Sequence, residues 1–462
     1  MRLRGGRPGP AAVTLVRTDS ARDTPSLSRR AFVGAALAAP TAAWLVSCAE
    51  SEPEEAGSAP QEGPLRSWSD VRAQFELDPG VNHLSAFILA PHSRPVRNAI
   101  ATHRAGLDRD PHGYLLANQD RVRAVARAAA AYLETSSGSV ALTDSTTMGL
   151  GVLIGGMRFA PGDEILMTEH EHFVADQTAR YAAERTGATV NKVALYPPEA
   201  PEQATVDGIV GAIRDAIGPQ TRLVLVTWVH SATGVRLPLP EIAEVVAASN
   251  AGRATEQRAL LVVDGAHGFG AGPAAVEKLG CDGLASGCHK WLLGPRGTGV
   301  AWGSPELWER VTPVIPTLDD RALVPWIEGE PATAPPGVVF SPGGYHSFEH
   351  RWALEEAFDL HARVGARRIA RRIDDLGGQL RDGLGGAPHV TLHAPEDERL
   401  HSGVVTFTVD GIDRFDVVDR LLDEHRVSAT VTPYPVSYAR LGACWLNTED
   451  EIEAAIGAVR EL

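Results

Sequence analysis

The sequence predicts an α/β protein, with a large domain built on a mostly parallel sheet and a smaller α+β domain after it. Short apolar segments between residues 140 and 263 alternate with polar loops and helical patterns, as is typical of parallel sheets. The alternation changes after residue 303, where a Pro- and Gly-rich segment precedes long helices and short strands. A length of 462 residues suits a large domain with a smaller one.

The first 48 residues resemble a twin-arginine export signal. Residues 28–33 place paired arginines ahead of an apolar run, residues 31–46, which is shorter than the about 20 residues of a membrane span. Residues 45–48 resemble a lipobox, in which Cys48 would be lipidated; an incidental cysteine is the alternative. We therefore expect export by the twin-arginine machinery to a periplasmic or other extracytoplasmic location, with a lipid anchor at Cys48 as a further hypothesis.

A flexible acidic linker is predicted over residues 49–66, which are rich in Glu, Pro, Gly and Ser. The large domain is expected over residues 67–330 and the small domain over residues 331–462. Helices are predicted over residues 68–77, 94–107, 120–133, from 240 onward, 349–365, 366–384, 415–425 and 448–460. Strands are predicted over residues 81–84, 140–142, 164–167, 223–228, 260–263, 390–392, 404–409 and 428–432.

Charge and cysteine content limit the function classes. The chain has 43 Lys and Arg against 58 Asp and Glu, a formal charge of -15, which argues against a nucleic-acid surface. Its four cysteines lack the CxxC spacing of a zinc cage. We therefore expect no nucleic-acid partner and no structural disulfides.

Polar residues follow the ends of the predicted strands. His172, Ser231 and Asp264 come after three of them, and Ser145, Thr146 and Thr147 open a helix after another. Because the carboxyl ends of parallel strands line one crevice, we expect these residues to share a cavity. Hydroxyl residues at a helix N-terminus also suit a phosphate, although a plain helix cap is the commoner reason for them.

Lys290 lies in an unusual place, between His289 and Trp291, with small residues before it and a glycine-rich turn after it. Burial disfavours a charged amine, so its pKa falls and it becomes a nucleophile toward an aldehyde such as pyridoxal 5'-phosphate. Asp264, 26 residues earlier (290 minus 264), is either a capping carboxylate or the partner of a protonated pyridine nitrogen. A surface lysine at a loop edge is the alternative for Lys290.

A different class of function is also open. His346, Glu349 and His350 match the H-x-x-E-H pattern of inverted zinc peptidases, which would make this an exported zinc hydrolase with Glu349 as general base. His170 and His172 could face one side of a strand, but no third ligand is spaced to complete a metal site there.

Taken together, these motifs resemble the class V aminotransferase family of pyridoxal-phosphate enzymes, especially its isopenicillin N epimerase-like branch. The resemblance covers nearly all of residues 75–462. Its most specific pieces are VDGAH at 263–267, CHKW at 288–291, GPRG at 294–297, RWAL at 351–354, and Arg440 followed by NTE at 447–449. It implies fold type I, with a large seven-stranded-type sheet and a smaller C-terminal domain, and a homodimer whose subunits share the site.

The resemblance also implies roles for individual residues. Lys290 would bind the cofactor's aldehyde, Asp264 would pair with the pyridine nitrogen, and His172 would stack on the ring. Ser231 and His267 would lie near the phenolic oxygen, Thr146, Thr147 and His289 would hold the phosphate, and Arg440 would bind a substrate carboxylate. The implied enzyme condenses with an amino acid or small peptide amine and removes its alpha proton. Epimerisation, transamination and beta-elimination with C-S lysis all remain open.

Two departures from the family bear on sulfur chemistry and phosphate binding. Residues 427–439 contain no cysteine, where desulfurases of this superfamily carry a catalytic one, and Cys444 falls after the arginine. Desulfurase activity is therefore disfavoured. Gly287 replaces a hydroxyl residue that is common at the phosphate.

Two further departures bear on the substrate. Gly442 stands where relatives often have serine, and residues 85–89 are more apolar than the usual Asn- and Gly-rich turn. We therefore expect an altered substrate pocket around Phe87, Tyr345 and Arg440.

Overall fold

The computed structural model describes residues 65–331 and 333–462. The export signal predicted over residues 1–48, including Cys48, and residues 49–64 of the predicted linker lie outside the described residues, so both stay predictions. The first helix among the described residues begins at Trp68. Within the described part of the chain, no helix has the length and apolar composition needed to span a bilayer.

The first sheet has seven strands and is mostly parallel. They are β1 (Val140–Thr143), β2 (Glu164–Thr168), β3 (Thr189–Val193), β4 (Thr221–Thr227), β5 (Leu260–Asp264), β6 (Gly283–Gly287) and β7 (Gly299–Gly303). Their order is β1-β7-β6-β5-β4-β2-β3, and only β7 runs antiparallel to its neighbours. The predicted large sheet is confirmed.

Helices precede, connect and cover these strands. Those up to residue 331 are α1 (Trp68–Arg72), α2 (Arg94–Arg109), α3 (Pro111–Ala117), α4 (Arg121–Tyr132), α5 (Thr146–Gly155), α6 (Phe173–Thr186), α7 (Val206–Ala216), α8 (Leu239–Ser249), α9 (Val276–Leu279), α10 (Pro305–Arg310) and α11 (Asp320–Glu328). The sheet is buried on both faces, because Leu223 and Leu225 of β4 enter one hydrophobic cluster while Val224 and Val226 enter the other.

The second sheet is smaller and antiparallel. It contains β8 (Val390–Leu392), β9 (Val404–Val409), β10 (Thr430–Val431) and β11 (Ala439–Gly442), in the order β10-β11-β9-β8. The helices of this part are α12 (Pro336–Val339), α13 (Phe348–Val364), α14 (Ala366–Gly385), α15 (Arg414–Asp423) and α16 (Glu449–Arg460). Leu376 and Leu380 of α14 pack with Phe407 of β9 and Ile452 of α16, which confirms the smaller α+β part.

The boundary predicted between residues 330 and 331 stays a prediction. Residues 63–462 form one compact unit, and α13 packs against α2 and α4 beside the first sheet. The strand expected at residues 81–84 is reduced to a single bridge between Asn82 and Val427. Strands β3, β6 and β7 were not predicted: β3 is a largely exposed edge strand, and β6 and β7 begin and end with glycine, so neither shows an apolar strand pattern.

Candidate active site

Four neighbouring strands deliver polar side chains to one edge of the first sheet. Lys290 follows β6, Asp264 ends β5, Ser231 follows β4 and His172 follows β2. Because β6, β5, β4 and β2 are adjacent and parallel, the four side chains approach one crevice from successive positions along the sheet.

The loop that carries Lys290 is tightly constrained. The Gly294 N-H donates to the Cys288 carbonyl at 2.8 Å, and the Leu293 N-H donates to the Lys290 carbonyl at 3.0 Å. Leu293 has a φ of 56°, a left-handed conformation that a leucine adopts only where its surroundings require it. The lysine is thus presented from a rigid turn.

The amine of Lys290 is bonded to a buried histidine. Its Nζ lies 3.2 Å from Nε2 of His267, whose Nδ1 accepts the Trp291 indole N-H at 3.1 Å. Burial and the positive charge of Arg440 lower the pKa of Lys290 to about 8, although the negative charge of Asp264 opposes this shift. A substantial fraction of this lysine is therefore an uncharged nucleophile near neutral pH.

Asp264 is buried at the end of β5, and its Oδ1 accepts the Ala266 N-H at 2.9 Å. Burial raises the pKa of this carboxyl, while Lys290 opposes the rise. A cationic ring nitrogen beside the carboxylate would lower that pKa again, because an opposite charge favours the ionised form.

His172, Ser231 and Tyr434 form the far side of the crevice. Nδ1 of His172 accepts the Val174 N-H at 3.3 Å, and its ring meets the Tyr434 ring edge-on with centroids 6.0 Å apart. The Tyr434 hydroxyl lies 2.7 Å from Ser231 Oγ. Sequence reasoning missed Tyr434, which lies between β10 and β11 in the same cysteine-free segment that argued against desulfurase activity.

Arg440 of β11 enters the same crevice. Its Nη1 donates to the Ser231 carbonyl at 2.6 Å and its Nε to Thr430 Oγ1 at 3.0 Å. Among the described residues no carboxylate lies within ion-pair distance of it, although it is 3% exposed and its pKa is lowered by burial to about 10. A buried, unpaired guanidinium is a strong site for a carboxylate ligand.

Phe87 explains the glycine at position 442. Its ring is fully buried, lies 5.1 Å below the Arg440 guanidinium and packs against Trp291 and His267. A Cβ built on Gly442 would lie 2.0 Å from Phe87 Cδ1. The two departures seen in the sequence are therefore one arrangement, in which a phenyl ring fills the space that a side chain at 442 would need.

A second recess lies at the N-terminus of α5. Thr146 Oγ1 accepts the Gly287 N-H at 2.8 Å, while Thr147 is exposed. A Cβ on Gly287 would lie 2.8 Å from the His289 ring and 3.5 Å from the Thr146 nitrogen. Nδ1 of His289 is buried without a hydrogen-bond partner. Free N-H groups at a helix start and an unsatisfied histidine nitrogen suit an anion such as phosphate.

Glu171 is a buried acid that sequence reasoning did not select. Its carboxylate accepts from Thr168 Oγ1 at 2.7 Å and from the N-H and hydroxyl of Thr227, the residue paired with Asp264 across β4 and β5. Burial, together with the nearby Asp264, raises its pKa to about 7. No local pattern could have marked it, because Thr227 and Asp264, which together with burial determine its environment, come from other strands.

The residues of the alternative zinc site do not form one. His346 pairs with Asp144 at 3.4 Å, and Glu349 lies 4.0 Å from Arg104 and 3.9 Å from His350. Across residues 65–331 and 333–462, no group of three or more His, Cys, Asp or Glu side chains is arranged to hold a metal ion. The structure thus gives the zinc hydrolase no support.

Tyr345 also lies away from Arg440, contrary to the predicted pocket. It is 84% exposed and packs edge-on against Phe348 with ring centroids 6.0 Å apart. It lines a separate cavity of about 550 Å³ between α4, residues 317–323 and residues 335–352. The glycine-rich loop before it carries the side chain out of the crevice, which its position in the sequence could not show.

Comparison with known proteins identifies the family. Residues 105–453 match the family model "Aminotransferase class-V". The chain belongs to the class V aminotransferase family. The isopenicillin N epimerase of Streptomyces clavuligerus is 28% identical over 408 residues, which cover 86% of this chain and 99% of that protein. A probable cysteine desulfurase of Methanothermobacter thermautotrophicus is 26% identical over 363 residues, which cover 77% of this chain and 84% of that protein.

Solved structures agree on the fold. A C-DES mutant with glycine covalently linked to its PLP cofactor superposes with a TM-score of 0.75 at 23% identity, covering 85% of this chain and 99% of that one. The class V family is pyridoxal-phosphate-dependent, so the predicted cofactor is confirmed at the level of the family.

The residues present fit this cofactor. An amine with a lowered pKa suits its aldehyde, a buried carboxylate suits its ring nitrogen, and the recess at α5 suits its phosphate. Asp264 and Lys290 end or follow the adjacent strands β5 and β6, and Gly287 at the end of β6 donates to Thr146 of the recess, so the three features lie near one another as one ligand requires.

Proposed function

We propose that this chain is an epimerase that inverts the alpha carbon of an amino acid or a small peptide with a free carboxylate. The proposal rests mainly on the presence of two proton-bearing side chains, Lys290 and Tyr434, on different sides of Asp264. Inversion needs one group to remove a proton and another to supply one from the opposite face.

Sheet order supports this division. Lys290 follows β6, on one side of the Asp264 strand, whereas Tyr434 contacts Ser231 and His172, which follow β4 and β2 on the other side. Lys290 takes the alpha proton as its amine becomes an ammonium, and Tyr434 gives its hydroxyl proton to the same carbon. Proton exchange with solvent then restores both groups.

The other residues bind and orient. Arg440 binds the substrate carboxylate with Nη2 and the second hydrogen of Nη1, because its protein acceptors among the described residues take only one hydrogen of Nη1 and that of Nε. Thr146, Thr147 and His289 hold the phosphate of the cofactor, Asp264 accepts from its ring nitrogen, His172 packs on its ring, and Ser231 and His267 lie near its phenolic oxygen. Pyridoxal phosphate, when bound, withdraws electrons from the alpha carbon and acidifies its hydrogen.

Sulfur chemistry of the desulfurase type is not supported. Cys281, Cys288 and Cys444 are all buried, and burial raises the pKa of Cys444 to about 12. A thiol in that state carries almost no thiolate near neutral pH. Residues 427–439, the segment in which desulfurases carry the nucleophilic cysteine, contain none in this chain.

The test is alpha-hydrogen exchange in heavy water. The holoenzyme is incubated with L- and D-amino acids and with isopenicillin N, the compound that appears in the name of the Streptomyces relative. Exchange is followed by proton NMR and configuration by chiral chromatography. We expect exchange with inversion of at least one compound. In Tyr434→Phe we expect inversion to fall by about 10²- to 10⁴-fold while exchange of one enantiomer continues.

Other outcomes separate the alternatives. A keto acid with stoichiometric conversion of the cofactor to its amine form indicates an aminotransferase, and release of a beta substituent indicates a lyase. Inversion by Tyr434→Phe at the wild-type rate would remove Tyr434 from the mechanism. No exchange of any compound would contradict the epimerase itself.

We propose further that the protein is a homodimer, as the resemblance implies. Large apolar side chains are exposed along residues 314–327, including Trp326, which is 77% exposed. A cluster of this kind is typical of a subunit interface. Sedimentation of wild type and Trp326→Glu tests this: a dimer that the substitution weakens is expected, and a monomeric wild type contradicts the proposal.

Export by the twin-arginine route, with lipidation of Cys48, is also our proposal. It rests on the paired Arg29 and Arg30, the apolar run after them and the lipobox-like end. Cell fractionation of an Arg29→Lys, Arg30→Lys double variant should show retention in the cytoplasm. Cys48→Ala should release the exported protein from the membrane fraction. Unchanged fractionation of both variants would contradict these proposals.

A further inference from the structure

Three side chains form a directional hydrogen-bond chain that ends at the reactive amine. The Trp291 indole donates to Nδ1 of His267 at 3.1 Å, and Nε2 of His267 lies 3.2 Å from Lys290 Nζ. An indole N-H can only donate, so Nδ1 of His267 must present its lone pair. His267 is 5% exposed and burial keeps its imidazole neutral, so its single ring proton lies on Nε2.

This hydrogen-bond arrangement affects the protonation state of Lys290. A protonated Nε2 is a donor, and an ammonium group has three donors and no acceptor. Only the free amine can accept a hydrogen bond from the Nε2-H group of His267. The chain of bonds therefore runs from Trp291 through His267 to Lys290 and disfavours the charged lysine.

We propose that Trp291 is a positioning residue that fixes the tautomer of His267, and that this tautomer favours the free-amine form of Lys290 over the ammonium form. Trp291 lies outside the crevice edge and acts only through His267. Its own position is fixed, because it is 1% exposed, the Trp445 indole donates to its carbonyl at 2.8 Å, and Phe87 packs on its ring. The opposite tautomer would leave the buried indole N-H without a hydrogen-bond acceptor, which destabilises that tautomer.

Other groups around Lys290 also affect its charge. Asp264 on β5 favours the ammonium form and Arg440 on β11 opposes it, while His172 and His289 lie close enough to interact with it. None of these groups is bonded to Trp291 in the described part of the chain. Replacing Trp291 therefore removes the tautomer constraint and leaves the other charges in place.

The direct test is nitrogen NMR of the full chain labelled with ¹⁵N-histidine, with His267 assigned by comparison with His267→Gln. We expect wild-type His267 to carry its proton on Nε2. In Trp291→Phe we expect a mixture of tautomers. Trp308→Phe is the matched control, because it removes a buried indole that donates to the Ser139 carbonyl at 3.2 Å, away from Trp291 and His267, and it should leave the wild-type tautomer unchanged.

A second readout is the pH dependence of pyridoxal phosphate capture by the cofactor-free full chain, followed by absorbance. We expect Trp291→Phe to raise the midpoint by about one pH unit, equal to a tenfold smaller free-amine fraction below it, and Trp308→Phe to leave it unchanged. A proton on Nδ1 in the wild type overturns the inference even if neither variant folds. An unchanged tautomer and midpoint in a folded Trp291→Phe overturn it as well.

The inference rests on the proposed function only in that Lys290 supplies the reactive amine. The tautomer is measured without cofactor or substrate. Failure of alpha-hydrogen exchange with a protonated Nε2 would therefore contradict the epimerase alone, whereas exchange with a protonated Nδ1 would contradict the role of Trp291 alone.

Discussion

The two sides of the crevice are built in different ways. One side, here called the cofactor wall, consists of Asp264, His267, His289 and Lys290, all within one stretch of the chain that forms β5, β6 and the loop after β6. The other side, here called the substrate wall, consists of Phe87, Ser231, Tyr434 and Arg440, which lie far apart in sequence. Ser231 and Arg440, for instance, are bonded across 209 positions.

This difference separates residues that local chain geometry brings together from residues that only tertiary contacts bring together. The cofactor wall follows from local strand and loop geometry, so it can serve any reaction on the same cofactor. The substrate wall depends on contacts between the two sheets and on the Phe87 and Gly442 arrangement. The choice of reaction and substrate therefore belongs to the substrate wall.

The largest effect is expected from removing the amine of the cofactor wall. Lys290→Ala should reduce alpha-hydrogen exchange by about 10⁴-fold or more, because it removes both the nucleophile and the proton acceptor. Exchange is measured by NMR in heavy water, with circular dichroism to verify the fold. Exchange within tenfold of the wild type would show that another group supplies the amine chemistry.

A smaller effect, confined to substrate binding, is expected from the substrate wall. Arg440→Gln should raise KM by roughly 10- to 100-fold, since it removes a charge-assisted hydrogen bond to the carboxylate. Arg440→Lys keeps the charge but loses the planar fork of the guanidinium group, so its KM should lie between those of the wild type and Arg440→Gln. Steady-state kinetics measure this, and an equal loss for substrates lacking the carboxylate would assign Arg440 a different role.

The Phe87 and Gly442 arrangement makes a stability prediction. Gly442→Ser should lower the free energy of unfolding by about 1–3 kcal/mol, because the new side chain overlaps the phenyl ring. Adding Phe87→Ala should relieve the overlap, so that the double variant is less destabilised than the sum of the two single variants. Urea unfolding measures all three, and strict additivity would show that the two positions do not interact.

The two walls should shift the titration of Lys290 in opposite directions. The free amine captures aldehyde, so capture should rise with pH around a midpoint of about 8 instead of the ordinary 10.5. Asp264→Asn removes a negative charge and should lower the midpoint, whereas Arg440→Gln removes a positive charge and should raise it. Stopped-flow absorbance of the cofactor-free protein measures the midpoint, and shifts of the same sign in both variants would contradict this account.

How much could be predicted from the sequence follows the same division. Asp264 could be identified because it directly follows a recognisable apolar strand pattern. Lys290 could be identified because it lies between small residues and a glycine-rich turn. Tyr434 and Glu171 could not, because their importance depends on partners brought close only by tertiary contacts. Tyr345 was misplaced for the same reason, since sequence proximity to other motifs says nothing about which side of a glycine-rich turn a ring lies on.

The parts of the fold that were missed also have physical causes. The apolar strands β4 and β5 are buried on both faces and were predicted, whereas β6 and β7 each begin and end with glycine, which weakens their apolar pattern. Gly149 of α5 has no room for a Cβ against Ala285 of β6, at 2.9 Å. Both strands contribute side chains to the hydrophobic core, but their glycine and alanine content hides them from a prediction based on apolar pattern.

The central claim is that Lys290 is the residue that binds pyridoxal phosphate. Borohydride reduction of the purified full-length protein, followed by proteolysis and mass spectrometry, tests it most directly. We predict a yellow protein that is bleached by reduction, with the phosphopyridoxyl group on the peptide that contains Lys290 and on no other. The account would be contradicted by a protein that stays colourless after incubation with excess cofactor, or by a label on a different lysine such as the exposed Lys278.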